Sequence, residues 1–108
     1  MKLESSDNMI RISLDERLDS DNAPECEKKI TGYLNEHENI KGARIDAKDL
    51  RYISSAGIRI LLMIKKRIND MQIINVSDDV YDIISITGME DVFGLKKAEI
   101  MPDRKSVV

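Results

Sequence analysis

Two adjacent hydroxyls, Ser54 and Ser55, are the residues of this chain best placed to do chemistry. They stand between an extended-looking stretch and a run of helix formers, in the order DLRYISSAGIRILL from Asp49 to Leu62. Three chemistries fit a serine pair at such a join. A serine oxygen can cap a free backbone N–H at the start of a helix. A serine can act as a nucleophile, provided a general base lies within hydrogen-bond reach. A serine can also carry a phosphate, which a helix start accommodates through its free N–H groups and positive dipole end.

The other reactive side chains do not assemble a catalytic set. The chain has one histidine, His37, and one cysteine, Cys26. Eleven residues on one unbroken helix separate them by about 16 Å at 1.5 Å per residue. Cys26 reads as a small core residue, and no internal disulfide is possible. No Gly-x-Ser-x-Gly elbow supplies a nucleophile, and no Gly-rich loop would cradle a phosphate. Asp78, Asp79 and Asp82 read as the acidic first turn of a helix rather than a metal site. No enzymatic activity, no metal and no cofactor are expected.

The elements that hold the serines follow from periodicity. Residues 9–14 alternate, with Ile10, Ile12 and Leu14 on one face, as in a half-buried strand. Residues 1–5 would pair with it across a turn at Ser6, Asp7 and Asn8. Ala23, Cys26, Ile30, Tyr33 and Leu34 recur at helical spacing after cap residues Ser20, Asp21 and Asn22 and the early Pro24. Residues 43–47 form a second strand. Residues 56–69 form a second helix, with Ile58, Leu61, Leu62 and Ile68 toward the core and Ile60, Met63 and Ile64 off that side. Residues 71–76 form a third strand, and a third helix buries Val80, Ile83 and Ile84 and stops at Gly88. Residues 97–101 would add a last strand. This order predicts an α/β fold: a mixed, mainly parallel sheet of four or five strands with helices packed on it and both faces covered.

With 108 residues, one domain is expected over residues 1–101, followed by a flexible tail at 102–108. Formal net charge is −3, and Lys65, Lys66 and Arg67 read as a solvated helix end, so no direct nucleic-acid partner is expected. Neither a secretory signal nor a membrane span is legible, and a cytoplasmic, monomeric protein is the expectation.

SSAGIRILL over residues 54–62, preceded by Asp46, Asp49 and Leu50, resembles the signature of STAS domains, and among them bacterial anti-sigma factor antagonists. LDERLDSDNA over residues 14–23 is similar to that family's Gly-x-Leu-Asp turn into its first helix. Residues 73–95 are similar to its strand, helix and closing Phe segment, with Phe93 in the closing position. The resemblance covers about residues 8–100.

What the resemblance implies is a STAS-like fold and a partner switch. The unphosphorylated protein would bind an anti-sigma factor that is also a serine kinase, of the histidine-kinase-like ATPase type. Phosphorylation would break that binding, and a serine phosphatase would restore it. The family's phosphorylated serine stands two positions before the glycine, which makes it Ser55, with Ser54 the second choice. Ser54 takes the place of the family's Asp, Ala56 that of its second Ser, and Glu16 that of the turn glycine. Asp19 matches the acidic residue of the turn. Partner-binding residues would be Asp19, Ser54, Ser55, Ala56, Gly57, Arg59, Ile60 and Met63, with Gly57 letting a partner's backbone approach. The alternative is an unswitched STAS binding module, an adaptor in a transport or signalling complex. A receiver domain with Asp46 as acceptor fits less well, because no acidic pair follows the first strand.

Overall fold

The computed structural model describes residues 1–98. Strand β1 (Lys2–Ser6) and β2 (Met9–Ser13) form an antiparallel hairpin in which Ser6 pairs with Met9. Only Asp7 and Asn8 remain for the turn, and both have positive φ, 51° and 66°. Two left-handed residues in a two-residue loop give the twist that matches paired strands, and Asp and Asn tolerate that conformation best after glycine.

From β2 the chain passes through β3 (Arg17–Leu18) into α1 (Ala23–Glu36), then β4 (Gly42–Asp46), β5 (Tyr52–Ile53) and α2 (Ser55–Arg67). Strand β6 (Asp70–Val76), α3 (Asp78–Ile86), the short α4 (Glu90–Phe93) and β7 (Leu95–Lys97) follow. The main sheet has the order β1-β2-β4-β6-β7, with only β1 antiparallel, so the expected mixed, mainly parallel sheet is present with five strands. Strands β3 and β5 form a separate two-stranded parallel ribbon. The last strand starts two residues earlier than expected. Residues 99–101 of that expectation, and the expected tail, lie outside the described residues.

The expectation that both sheet faces are covered is corrected. Register places Ile12, Ile45 and Ile73 in one row and Ile10, Ala43 and Met71 in another, all buried. Between those rows, Arg11 is exposed and Arg44 and Gln72 are half-buried. These side chains point to the opposite face. That face is therefore polar and open, held by ion pairs such as Arg11 to Asp46 (2.6 Å) and Arg44 to Asp70 (3.2 Å). Strict apolar–polar alternation in Ile10-Arg11-Ile12 and Ala43-Arg44-Ile45 is the sequence sign of a one-sided sheet.

Helix α2 starts at Ser55 and ends at Arg67, and its phase differs from expectation. Gly57, Ile60, Leu61, Ile64 and Ile68 are buried at three-and-four spacing, with Ile58 beside them. Leu62 is only half-buried and Ile60 and Ile64 are core, the reverse of the expected assignment. The helix is apolar around most of its circumference, so composition does not fix its rotation; packing does. In α1, Ala23, Ile30 and Leu34 are buried as expected, while Cys26 and Tyr33 are half-buried against the core. In α3, Val80 and Ile84 are buried and Ile83 is half-buried. Ser77 caps this helix through its Oγ and the Val80 N–H, and the chain leaves it through Gly88 at φ 74°. Phe93 is fully buried.

Candidate functional site

The serine pair is built by the small ribbon. Arg17 pairs with Tyr52 and Leu18 with Ile53. Because the strands are parallel, Asp19 and Ser54 leave the ribbon at the same end. The Ser54 N–H donates to the Leu18 carbonyl at 3.0 Å and extends the ladder by one bond. The carbonyl of Glu16 accepts from the N–H groups of Arg51 (2.7 Å) and Tyr52 (3.2 Å), so Glu16 docks the loop that precedes the serines through its backbone.

Ser54 is the N-cap of α2, in extended backbone (φ −103°, ψ 178°), and its carbonyl accepts the Ile58 N–H at 2.9 Å. Its side chain makes no capping bond. The Oγ is buried and, among the described residues, has no hydrogen-bond partner. Ser55 is the first helical residue and is exposed. The reading of this pair as a side-chain cap is thus corrected: α2 starts without one, and its first N–H groups stay free for another acceptor. Two neighbouring hydroxyls have opposite accessibility, which sequence alone does not distinguish.

Gly57 does not serve the purpose expected of it. It is buried, and a Cβ there would lie 2.4 Å from the Leu18 carbonyl oxygen and 2.7 Å from Ile53 Cγ1. The space kept by the missing side chain is filled by this chain's own ribbon, not by a partner's backbone.

Asp19 is 7% exposed and fully engaged. Arg17 Nε donates to Oδ2 at 2.9 Å and the Asp21 N–H to Oδ1 at 3.0 Å. The Arg17 hydrogen bond, with the Asp21 N–H, outweighs burial and holds this carboxyl below its ordinary range. Asn22 ties the turn shut by accepting from the Asp19 N–H and donating to the Arg17 carbonyl. Arg17 also lies over the Tyr52 ring, 5.6 Å from its centroid. Asp19 is therefore a positioning residue for the start of α1.

From Ala56, the residue after Ser55, a cavity of about 330 Å³ opens between the starts of α1 and α2, lined on α2 by Ala56, Arg59, Ile60 and Met63. Four of the eight expected partner-binding residues thus share one wall. Ser20, Ala23, Pro24 and Glu27 line the other. Ile60 is 6% exposed and reaches this space only as its floor. Arg59 is exposed and Met63 half-buried.

Sequence reasoning missed Asp46 as an anchor of the loop leading to the serines. It is 7% exposed at the end of β4. Arg11 Nη2 donates to Oδ2 (2.6 Å), and Asn75 Nδ2 (3.1 Å) and the Lys48 N–H (3.0 Å) donate to Oδ1. Burial pushes this carboxyl up, and the donors from Asn75, Lys48 and Arg11 more than reverse it, so its pKa lies below the usual value. Asn75 reaches Asp46 from left-handed backbone (φ 58°).

The STAS domain family model matches residues 1–104. No curated protein matches the chain. Solved structures do. An anti-sigma factor antagonist from Mycobacterium paratuberculosis is 19% identical, covers 99% of this chain and 91% of its own, and superposes with a TM-score of 0.76. The Bacillus cell fate determinant SpoIIAA in its phosphorylated form is 15% identical over 99% of this chain and 98% of its own, with a TM-score of 0.68. A murine Solute Carrier 26 family anion transporter in the inward-facing state is 12% identical over 89% of this chain and 17% of its own, with a TM-score of 0.71. At these identities the likeness establishes the fold. Among the described residues, no helix is long and apolar enough to cross a membrane.

Proposed function

The chain belongs to the STAS domain family, and from that premise we propose that it is an anti-sigma factor antagonist working as a partner switch. In this reading it binds an anti-sigma factor that is also a serine kinase of the histidine-kinase-like ATPase type. Phosphorylation of Ser55 ends the binding, and a serine phosphatase restores it. The protein performs no catalysis; nucleotide and magnesium belong to the kinase.

The observation that carries this reading is the contrast between the two hydroxyls. Ser55 is exposed on the first turn of α2, whereas the Ser54 Oγ is buried. A kinase must bring its nucleotide to the accepting oxygen, so only Ser55 is reachable without unfolding the helix start. A phosphate on Ser55 would meet the free N–H groups of α2 and its positive dipole end. Arg59, four residues on, lies on the same helix face and would offer a guanidinium. The modification is thus tolerated by the fold, and its cost falls on a docked partner as added negative charge and desolvation.

The test is intact-mass spectrometry after incubation with a histidine-kinase-like ATPase partner and Mg-ATP, on wild type, Ser55→Ala and Ser54→Ala. One phosphate gained by wild type and Ser54→Ala, and none by Ser55→Ala, is the expected result. Binding to that partner with no phosphate on any form would favour an unswitched adaptor, a reading consistent with the same fold in an anion transporter.

A further inference from the structure

Beyond the cavity at the starts of the two helices, the seam between α1 and α2 continues into a larger one of about 570 Å³, lined by Thr31, Arg59, Leu62, Met63, Lys66 and Arg67. Arg59 and Met63 belong to both cavities. Three of its six lining residues are cations and none is an anion, in a chain whose formal net charge is −3. Among the described residues, none of the three has a carboxylate within ion-pair distance. Lys65 takes the role expected of a basic residue at a helix end, donating from Nζ to the Asn69 carbonyl at 2.6 Å. Lys66 and Arg67 are exposed at the cavity instead, with Arg67 donating to Asn35 Oδ1 across the seam. Leu62 and Met63 give the cavity a half-buried apolar floor.

From this arrangement we infer that the α1–α2 seam docks an acidic amphipathic helix of a partner protein. An apolar side chain of that helix sits on Leu62 and Met63, and its carboxylates face Arg59, Lys66 and Arg67. Arg59 and Lys66 are seven residues apart, two turns or about 10 Å along the axis, which matches carboxylates two turns apart on a second helix. Met63 is a flexible, polarizable floor suited to an adaptable contact. A second copy of this chain paired through the same patch would set like charges against each other. A nucleic acid would find no aromatic side chain in this lining to stack its bases on, and an apolar floor with no use for its phosphates. The inference rests on the reading above for its regulation: a phosphate on Ser55, one turn from Arg59, adds negative charge at one end of the seam and repels the acidic helix.

The experiment replaces Met63 with the photo-cross-linking residue p-benzoylphenylalanine in cells that make the protein, irradiates them, and sequences the cross-linked peptide. A control carries the same residue at Gln72 on the open sheet face. The expected product joins position 63 to an acidic helical segment of another protein. Adding Lys66→Glu and Arg67→Glu should reduce it about tenfold or more. Both residues are exposed, so the fold is kept, with a modestly lowered circular-dichroism melt because acidic groups in the last turn of α2 oppose the helix dipole and the Arg67–Asn35 hydrogen bond is lost. If that other protein is not a kinase-type ATPase, the seam inference stands and the partner switch falls. The inference is overturned by a product with a neutral or basic segment or with a second copy. Indifference to the charge reversals, or yield no higher than from position 72, overturns it equally. A kinase cross-linked through a non-acidic segment would sink this inference and leave the switch standing.

Discussion

The Leu18 carbonyl oxygen occupies the place a side chain at Gly57 would need, 2.4 Å from an ideal Cβ, and the same oxygen accepts the Ser54 N–H at 3.0 Å. One backbone atom of the ribbon therefore sets both how deeply α2 sits and where the serine pair begins. Backbone has no rotamer to relieve the clash, so Gly57→Ala should force α2 off the ribbon. The expected loss is about 1–3 kcal/mol of stability, the range for overpacking a filled site, read by urea denaturation. A neutral result would mean that α2 can shift without cost and that the ribbon does not position Ser55.

The same contact explains what was legible in the sequence and what was not. The SSAG run, the strand alternation and the helix stripes mark the fold because they follow local periodicities. The ribbon was not legible: Arg17–Leu18 and Tyr52–Ile53 are two residues each, with no period to detect. Nor was the rotation of α2, since Ile58, Ile60, Leu61, Leu62 and Ile64 offer several apolar faces, and the contact at Gly57 selects among them. The different fates of Ser54 and Ser55 depend on that rotation. The seam was half legible: Arg59 and Met63 stood out on α2, but Thr31 and Glu27 come from a helix distant in sequence.

Ser54→Ala separates a cap from a buried hydroxyl. Loss of a side-chain cap would cost about 1 kcal/mol. Here the Oγ is buried without a partner, so removing it relieves a desolvation cost. Stability should stay the same or rise by up to about 1 kcal/mol. A loss of that size in thermal or urea melts would mean the hydroxyl bonds an N–H of α2 in solution.

Acid should weaken the fold through Asp46 and Asp19. Both carboxyls have folded pKa values below their unfolded ones, so their stabilisation is full above the unfolded value of about 3.9 and is lost as pH falls through the folded pKa. The urea midpoint should be flat near neutrality and drop below about pH 4. Asp46→Asn should cost about 1–3 kcal/mol at pH 7, since three donors lose a charged acceptor, and should flatten the acid limb. A variant with an undiminished acid limb would assign that limb to other carboxylates.

Arg17→Ala should act on docking through Asp19 rather than through lost contact with a partner. The guanidinium holds Asp19 Oδ2 and lies over Tyr52, joining the ribbon to the entry of α1. Its removal should loosen the turn formed by Asp19, Asp21 and Asn22, raising amide exchange at Asp21 and Ala23. Exchange that stays at the wild-type rate would show that Asn22 alone holds the turn.

Ser55→Asp gives the sharpest separation of fold from function. An acidic residue on the first turn of α2 meets the positive end of the helix and should stabilise the protein by about 0.3–1 kcal/mol. The same charge, one turn from Arg59, should weaken binding to the kinase partner, while Ser55→Ala leaves it close to wild type. Stability and binding are therefore expected to move in opposite directions in one variant. Calorimetric titration beside a thermal melt reads both. If Ser55→Asp binds as well as wild type, charge at this position does not control docking, and the partner switch loses its physical basis. If it binds less well only because it melts earlier, the helix start is not the accommodating site its free N–H groups make it.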